Sequence, residues 1–281
     1  MKHYRIDLTI PKLGDPRILF LIFTMVFLFL GLRLPSFGGN FFDYCMLAGC
    51  CMIFDFILRK MITGEWVFPL SGLTTAFGIF IVCDVIDNIY YLPIAFLAMG
   101  SKAFLQIQGR HIFNPGAFAI VISNLGLVHA VSPEAILRWT GDLKLSLFIF
   151  LCGLFLAIKV RRWAVVLAFY GVSILVSPTL SLFSPIPPLS YVHNLMWEGI
   201  VIMAFFMLTD PKTSPSHMKN QLLYGGFIAI LAQYLRFLEF RLPEHTALLV
   251  GCLVYAIFRK YSLEKDSAEV WKIKEVHIEL F

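Results

Sequence analysis

The sequence predicts an all-α polytopic membrane protein of about ten transmembrane helices, and three observations support this prediction. Hydrophobic residues make up 59% of the chain, charged residues only 15%, and the mean hydropathy is +0.79, whereas soluble proteins carry about 25% charged residues. Apolar runs suited to a hydrocarbon core of about 30 Å recur along nearly all of the 281 residues. Basic residues are concentrated in alternate connections between these runs. The pattern indicates one integral membrane domain, residues 1–281, that ends in a cytoplasmic tail, residues 262–281.

Ten apolar segments account for the helices in chain order. They are Arg17 to Leu32, Phe41 to Leu58, Val67 to Val85, Tyr91 to Gln106, Phe113 to Ala130, Leu145 to Ile158, Trp163 to Ser181, Val192 to Thr209, Leu222 to Leu238 and Thr246 to Phe258. The fourth, sixth and tenth segments are short, and the fifth begins with Asn-Pro. We expect these helices to tilt, to break, or to lie against protein rather than lipid.

The charge distribution predicts which side of the membrane each connection faces. Of the 23 Lys and Arg residues, 17 fall on the side of the N-terminus, 5 fall on the other side, and Lys102 lies inside the fourth segment. Because Lys and Arg are enriched in cytoplasmic connections, both termini are expected in the cytoplasm. The net charge of +5 is then a topology signal. The lipid bilayer is the expected partner, and no basic and aromatic patch indicates nucleic acid.

The six cysteines all fall in apolar segments, and none has a CxxC or Cys/His zinc spacing. Packing is therefore the favoured interpretation, and no metal site is predicted. Cys45, Cys50 and Cys51 are the closest group. An iron-sulfur centre there would need a ligand from a partner subunit.

A polar motif reading IQGRHIFNPGAF interrupts the apolar pattern before the fifth segment. Gly109, Arg110 and His111 form a tight basic connection. Asn114 is placed to cap the following helix, and Pro115 stands in its first turn, where the missing N–H costs nothing. A helix that starts at membrane depth directs free N–H groups at whatever lies before it. The motif indicates either a site for an anion or a polar ring edge, or only a well-capped helix start.

A second polar motif, TDPKTSP from Thr209, follows the eighth segment. Asp210 and Thr213 can close a local turn beside the two prolines of the motif. Both motifs face the cytoplasm in the predicted topology. We therefore expect them to share one polar pocket, in which Asn114 and Asp210 meet.

Two ionisable residues are placed inside apolar segments, where a charge is costly and a functional role is the default interpretation. Lys102 and Glu198 are therefore the candidates for an ion pathway, with Glu198 as a cation or proton site. The alternative is a buried ion pair that holds two helices in register. Asp55 lies one turn before Arg59, and this spacing is interpreted as a surface pair.

Three strings in the sequence resemble one known family. GRHIFNPGAF, FFMLTDPKTSPSH and SGLTTAFGIF are similar to the family that contains the B subunit of sodium-translocating NADH:quinone reductase (NqrB) and the D subunit of Rnf electron-transport complexes (RnfD). The resemblance covers most of the chain, and the two cytoplasmic motifs occur in the family's order. The chain is also similar to shorter, stand-alone members of the family.

The resemblance implies a fold of two inverted five-helix repeats, similar to urea transporters, that holds flavin within an ion-pumping redox complex. The half-repeats would be residues 1–137 and 138–261. Ser71 to Thr75 and Thr209 to Pro211 would be symmetry mates, and discontinuous helices at equivalent places often mark a binding site. The residues expected to bind the cofactor are Ser71, Thr74, Arg110, His111, Asn114, Pro115, Thr209, Asp210 and Thr213.

The chain departs from the family in one motif that matters for the cofactor. Larger members attach FMN through a phosphoester to the threonine of an S-G-A-T motif on the far side, after the fifth helix. The corresponding connection, residues 131–144, reads VSPEAILRWTGDLK and lacks this motif. The SGLT at Ser71 to Thr74 lies in an apolar segment and lacks the preceding acidic residue. Covalent FMN is therefore not expected, and noncovalent FMN or riboflavin stays open.

Three functions fit these observations. The first is a membrane subunit of an electron-transport translocase, a flavoprotein that couples redox change to cation movement with other Rnf- or Nqr-type subunits as partners; it requires a cofactor, because protein alone cannot carry an electron across a bilayer. The second is a channel-like facilitator of a small solute or ion. The third is an assembly subunit without a cofactor. Purified protein that is yellow would favour the first, and solute flux without an electron donor would favour the second.

Overall fold

The computed structural model describes residues 16–33, 40–64, 66, 68–85, 87–126, 143–182 and 193–261. In this part of the chain the helices are α1 (Pro16–Gly31), α2 (Phe41–Thr63), α3 (Leu70–Phe80), α4 (Tyr91–Phe104), α5 (Pro115–Gly126), α6 (Leu143–Lys159), α7 (Trp163–Ser181), α8 (Glu198–Ile202), α9 (Met218–Phe237) and α10 (Pro243–Tyr261). A π-helical stretch, Met203–Met207, continues α8, and a 3₁₀ turn, Asn88–Tyr90, precedes α4. Each of the ten apolar segments overlaps one of these helices, and the number of membrane crossings stays a prediction.

The structure adds one element that the all-α prediction lacked. Strands β1 (Gln106–Ile107) and β2 (Arg110–His111) form a short antiparallel hairpin in which Gln106 pairs with His111. Gln108 and Gly109 make the turn, with φ of 53° and 72°, and tight hairpin turns require positive φ at both central positions. The basic connection predicted at Gly109 to His111 is therefore a β-hairpin.

The lengths of the helices show that not every segment crosses the membrane by itself. Phe41–Thr63 and Trp163–Leu180 are the two described helices long and apolar enough to span a bilayer by length and composition. At 1.5 Å per residue, the 11 residues of α3 and the 12 of α5 reach only about half of a core near 30 Å. The third and fifth segments are thus shorter as helices than the sequence suggested.

The short helices are packed inside the molecule. Gly72, Phe77 and Phe80 of α3 are buried, and so is every residue of the π-helical stretch. Helix ends at membrane depth are tolerated where protein covers them and satisfies their backbone groups. The longer helices show the opposite pattern, because large apolar side chains such as Ile53 on α2 and Leu175 on α7 are 59% and 74% exposed. Such a surface fits lipid as the solvent.

Glycines allow two of the closest helix contacts. A Cβ atom on Gly72 would lie 2.8 Å from the carbonyl oxygen of Cys51, and one on Gly225 would lie 2.3 Å from that of Val165. Helix backbones can approach this closely only where no side chain intervenes. These contacts hold α3 against α2, and α9 against α7. The first of them brings the start of α3 to Asp55.

Candidate functional site

A cavity of about 500 Å³ lies where α3, α4, α5 and α8 end or begin. The first turn of α3, the end of α4, the β-hairpin and the start of α5 form one side, and the end of α8 with the following turn forms the other. The polar and charged lining residues are Arg59, Ser71, Thr74, Thr75, Lys102, Arg110, His111, Asn114, Arg162, Thr209, Asp210 and Lys212. Phe20, Leu156, Val160, Ile202, Phe206 and Met207 provide apolar lining. The cavity is thus drawn from both halves of the chain.

Asp55 binds the polar groups at the α3 side of the cavity. Its carboxylate accepts hydrogen bonds from the Ser71 hydroxyl at 2.7 Å and the Gly72 N–H at 3.0 Å. It also pairs with Lys102 at 3.1 Å and with Arg59 at 3.2 Å. Asp55 itself is only 3% exposed. Burial of a carboxylate is tolerated here because four donors surround it.

The interpretation of Asp55 and Arg59 as a surface pair was therefore wrong. The i, i+4 spacing showed the local partner, while Ser71 and Lys102 lie 16 and 47 residues away in the sequence. Lys102 has the opposite-charge partner that an intramembrane lysine needs. Lys102 also donates to Ser71, so it takes part in the wall of the cavity.

His111 and Asp210 connect the two halves of the chain across the cavity. The His111 Nε2 atom lies 3.3 Å from Asp210 Oδ2, and the Lys212 N–H donates to Asp210 Oδ1 at 3.0 Å. Burial lowers the pKa of His111 below its ordinary value. Burial opposes ionisation of Asp210, but His111 and the Lys212 N–H outweigh it and lower the pKa of the carboxyl. At neutral pH the arrangement is an ionised Asp210 that accepts from a neutral imidazole.

Two arginines fix the loops around this pair. Arg110 donates to the carbonyl oxygen of Pro211 at 2.6 Å. Arg259, from the end of α10, donates to the carbonyl oxygens of Ile107 at 3.1 Å and Lys212 at 3.4 Å. These hydrogen bonds tie the hairpin to the TDPKTSP turn.

The predicted helix start at Asn114 is present. The Asn114 Oδ1 atom accepts from the Ala117 N–H at 3.1 Å, as an N-cap does, and Pro115 is the first residue of α5. Asn114, Pro115 and Gly116 line the cavity, so the N-terminus of α5 opens onto it. The partial positive charge of that terminus adds to the cationic side chains around it.

The electrostatics of the cavity favour an anion. Among the described residues that line it, five are cationic and Asp210 is the one carboxylate. Asp55 lies behind the lining residues, and its negative charge offsets one more of the five positive charges. Arginine and lysine side chains beside a helix N-terminus are the recurring elements of phosphate sites.

Most of the residues predicted to bind a cofactor line this one cavity. Ser71, Thr74, Arg110, His111, Asn114, Pro115, Thr209 and Asp210 do so. Asn114 and Asp210 line the same cavity, which agrees with the prediction that the two polar motifs share one pocket. Thr213 is 2% exposed and supports the turn, with its hydroxyl 3.5 Å from the carbonyl oxygen of Asp210.

The two ion-pathway candidates are separated. Lys102 lines the cavity, whereas Glu198 is the first residue of α8, at the end of that helix away from Asp210. The side chain of Glu198 lies outside the part of the chain that the structure describes.

The expected symmetry between Ser71 to Thr75 and Thr209 to Pro211 does not match the helix bounds, because Ser71 stands in the first turn of α3 and Thr209 follows the end of α8. Inverted repeats preserve chain direction, so these two motifs are not equivalent positions.

Sequence reasoning missed four of the polar and charged lining residues, Arg59, Thr75, Arg162 and Lys212. Arg162 is 7% exposed and donates to Ser214 at 3.2 Å. A signal was present, because all three basic residues stand in or beside connections that the charge distribution assigns to the cytoplasm. They were counted for topology alone.

Metal ligation has no support in the described residues. No group of three or more His, Cys, Asp or Glu side chains there could hold a metal ion. On α2, Cys51 is buried whereas Cys45 is exposed, so these two thiols do not share an environment. An iron-sulfur centre completed by a partner subunit stays untested.

Known proteins similar to this chain are D subunits of ion-translocating oxidoreductase complexes. The subunit of Shewanella amazonensis is 26% identical over 206 residues, which cover 71% of this chain and 56% of that protein. The subunit of Aliivibrio salmonicida is 31% identical over 97 residues, covering 34% of this chain and 28% of the relative. That of Vibrio vulnificus is 30% identical over 78 residues, or 28% and 22% of the two chains. The chain thus spans about half or less of the length of these relatives.

The match to a protein family is longer. Residues 36–261 fit the family described as NQR2, RnfD, RnfE, and this range contains the GRHIFNPGAF and TDPKTSP motifs that line the cavity. The resemblance drawn from those motifs is confirmed: the chain is a membrane protein that belongs to the NQR2, RnfD, RnfE family.

Proposed function

We propose that the chain is a membrane subunit of an ion-translocating electron-transport complex in the bacterial plasma membrane, and that its cavity holds noncovalent flavin, FMN in preference to riboflavin. The named function of the relatives supports the first part, and it makes other redox subunits the proposed partners. The observation that carries the second part is the cavity, with its five cationic side chains and its apolar wall.

The size and lining of the cavity fit a flavin nucleotide. A volume of about 500 Å³ lies within the roughly 300–1,000 Å³ of typical cofactor pockets. The apolar side chains Phe20, Phe206 and Met207 suit an aromatic ring system. Arg110, Arg162 and Lys212 suit a phosphate, since cationic donors make strong hydrogen bonds to its oxygens. FMN would supply one- or two-electron redox chemistry that amino-acid side chains lack.

The side chains of this protein would bind and orient such a ligand. The N-terminus of α5 and the three cations attract the phosphate, while the apolar wall excludes water from the ring. The neutral His111 imidazole can accept a proton beside the cavity, and its contact with Asp210 fixes the orientation of the ring. Coupling of the redox change to cation movement is part of the proposal, on the strength of the relatives' names.

The test is flavin titration of the purified protein in detergent. We expect FMN to bind, with quenched flavin fluorescence, at least tenfold more tightly than riboflavin, which lacks the phosphate. Arg110→Gln should weaken FMN binding and leave riboflavin binding nearly unchanged. Lys60→Gln is the matched control, because Lys60 is also a cation but stands in the last turn of α2, outside the lining, and donates to the carbonyl oxygen of Gly64.

Two results would contradict the proposal. The first is a wild-type protein that binds neither flavin. The second is solute flux into protein-containing liposomes without an electron donor, which would support the facilitator instead. Bound flavin should also be released on denaturation, because no S-G-A-T threonine is present. A fluorescent band at the mass of the subunit in a denaturing gel would show covalent attachment; the connection concerned, residues 131–142, lies outside the described residues.

A further inference from the structure

Asp55 is unusual among the charged groups at the cavity because it contacts the lining residues without being one. Three of its partners, Arg59, Ser71 and Lys102, line the cavity. Ser71 donates to Asp55 at 2.7 Å and accepts from Arg59 at 2.7 Å and from Lys102. One carboxylate therefore fixes two cations and a hydroxyl that come from α2, α3 and α4.

The same carboxylate fixes the start of α3. The Gly72 N–H donates to Asp55 at 3.0 Å, and the close approach of Gly72 to the Cys51 carbonyl leaves α3 no room to move toward α2. The first turn of α3 carries Ser71, Thr74 and Thr75 into the cavity. The position of this wall depends on where the oxygens of Asp55 lie.

We propose that Asp55 is a positioning residue of the cavity, which aims Lys102 and Arg59 at the anionic ligand. This inference rests on the proposed function, because it concerns the affinity of the same cavity. The proposal predicts the direction in which ligand affinity changes when the carboxylate of Asp55 is removed. A negative charge that acted only through its field would repel an anionic ligand, so its removal would raise the affinity. A carboxylate that positions two cations has the opposite effect, since its removal or displacement lowers the affinity.

Two variants separate position from charge. Asp55→Glu keeps the charge and moves the oxygens by one methylene group, and Asp55→Asn keeps the shape and removes the charge. We expect each to weaken FMN binding at least tenfold. Asp55→Glu should change the unfolding temperature of the protein in detergent by no more than a few degrees, whereas Asp55→Asn should lower it, because Lys102 loses its buried counter-charge. Asp43→Asn is the matched control: Asp43 stands at the other end of α2 and accepts from Asn88 at 3.0 Å. It should bind FMN like the wild type.

A second measurement does not depend on flavin. Acetic anhydride modifies free lysine amines, and mass spectrometry can follow Lys102 and Lys60 in the same sample. We expect acetylation of Lys102 to rise several-fold in Asp55→Asn, because the amine loses the Asp55 partner. The rate at Lys60 should not change. In the wild type, FMN should protect Lys102.

The outcomes are distinct. FMN affinity that rises or stays constant in Asp55→Asn, or that stays constant in Asp55→Glu, overturns the positioning role. Should the wild type bind no flavin, the proposed function fails and acetylation alone decides: a faster reaction at Lys102 supports the positioning of that lysine, and an unchanged rate overturns it. Asp55→Glu retains the counter-charge of the buried cations and so serves if Asp55→Asn does not fold.

Discussion

His111, from the first half of the chain, contacts Asp210, from the second half, at the cavity. Both groups have a pKa below the ordinary value in the folded protein. The unfolded chain therefore binds more protons than the folded one as the pH falls. For both groups, the contribution to the stability of the folded protein is present above the pKa of the unfolded chain and is lost as the pH falls.

We predict that the protein loses stability as the pH falls below about 6.5, the unperturbed pKa of histidine. The imidazole of His111 stays neutral in the fold while the unfolded chain takes up a proton, and Asp210 adds its contribution at lower pH. In His111→Gln the loss of stability between pH 6.5 and the carboxylate range should be smaller than in the wild type. Unfolding temperatures of both proteins between pH 8 and pH 4 measure this, and coincident pH profiles would contradict it.

Asn114 illustrates how one side chain serves both helix and site. Its Oδ1 atom caps α5 through the Ala117 N–H, and it lines the cavity. Asn114→Leu should cost about 1 kcal/mol of stability through the lost cap and also weaken the retention of FMN. Phe155→Ala is the control: Phe155 is 54% exposed on α6 and should affect stability alone. Retention unchanged in Asn114→Leu would leave the motif as an ordinary helix start.

Among the described glycines, the tightest approach between two helices is at Gly225, where α9 meets α7. A Cβ atom on Gly225 would lie 2.3 Å from the carbonyl oxygen of Val165. A backbone atom cannot turn aside as a side chain does, so the two helices must separate. On Gly171, in the same helix pair, a Cβ atom would meet nothing within 4 Å.

We predict opposite effects for alanine at these two glycines. Gly225→Ala should destabilise the protein by about 1–3 kcal/mol, the usual cost of overpacking. Gly171→Ala should be neutral or stabilise by up to about 1 kcal/mol, because alanine favours a helix. Thermal unfolding in one detergent compares them. Equal stabilities would show that α7 and α9 are not in this close contact.

Apolar segments and capping residues made most of the helices predictable. Asn114 and Pro115 marked the start of α5 because a cap and a first-turn proline are local signals. The hairpin was not predictable in the same way, since strands of two residues have no periodicity. The shortness of α3 was also hidden, because residues 67–85 are mostly apolar and only tertiary packing decides where the helix stops.

The site was predictable where its residues interrupt an apolar pattern. Arg110, Asn114 and Asp210 stood out for that reason. Asp55 did not, because its local partner Arg59 offered a sufficient explanation and its distant partners have no sequence signature. Lys102 was recognised as a charge that is costly inside the membrane, but Asp55 was not recognised as its partner.

At the scale of the whole molecule, the two halves meet through polar contacts around one cavity. Arg110 reaches Pro211, His111 reaches Asp210, and Arg259 reaches both connecting loops. These residues belong to connections that the charge distribution assigns to the cytoplasm. In that orientation, a ligand that enters the cavity through these connections would come from the cytoplasmic side.

The orientation of the molecule can be tested across a single helix. Lys219 and Arg241 are both exposed. Lys219 stands in the first turn of α9 and Arg241 in the connection after its end, and the 20 residues of the helix extend about 30 Å. The charge distribution, 17 basic residues against 5, places Lys219 in the cytoplasm and Arg241 outside. We predict that Lys219→Cys, in a background without the six native cysteines, reacts with an impermeant maleimide only after the membrane is opened. Arg241→Cys should react in intact spheroplasts. The reverse pattern would invert the molecule and move the cavity to the outer face, and labelling of both from one side would show that α9 does not cross the membrane.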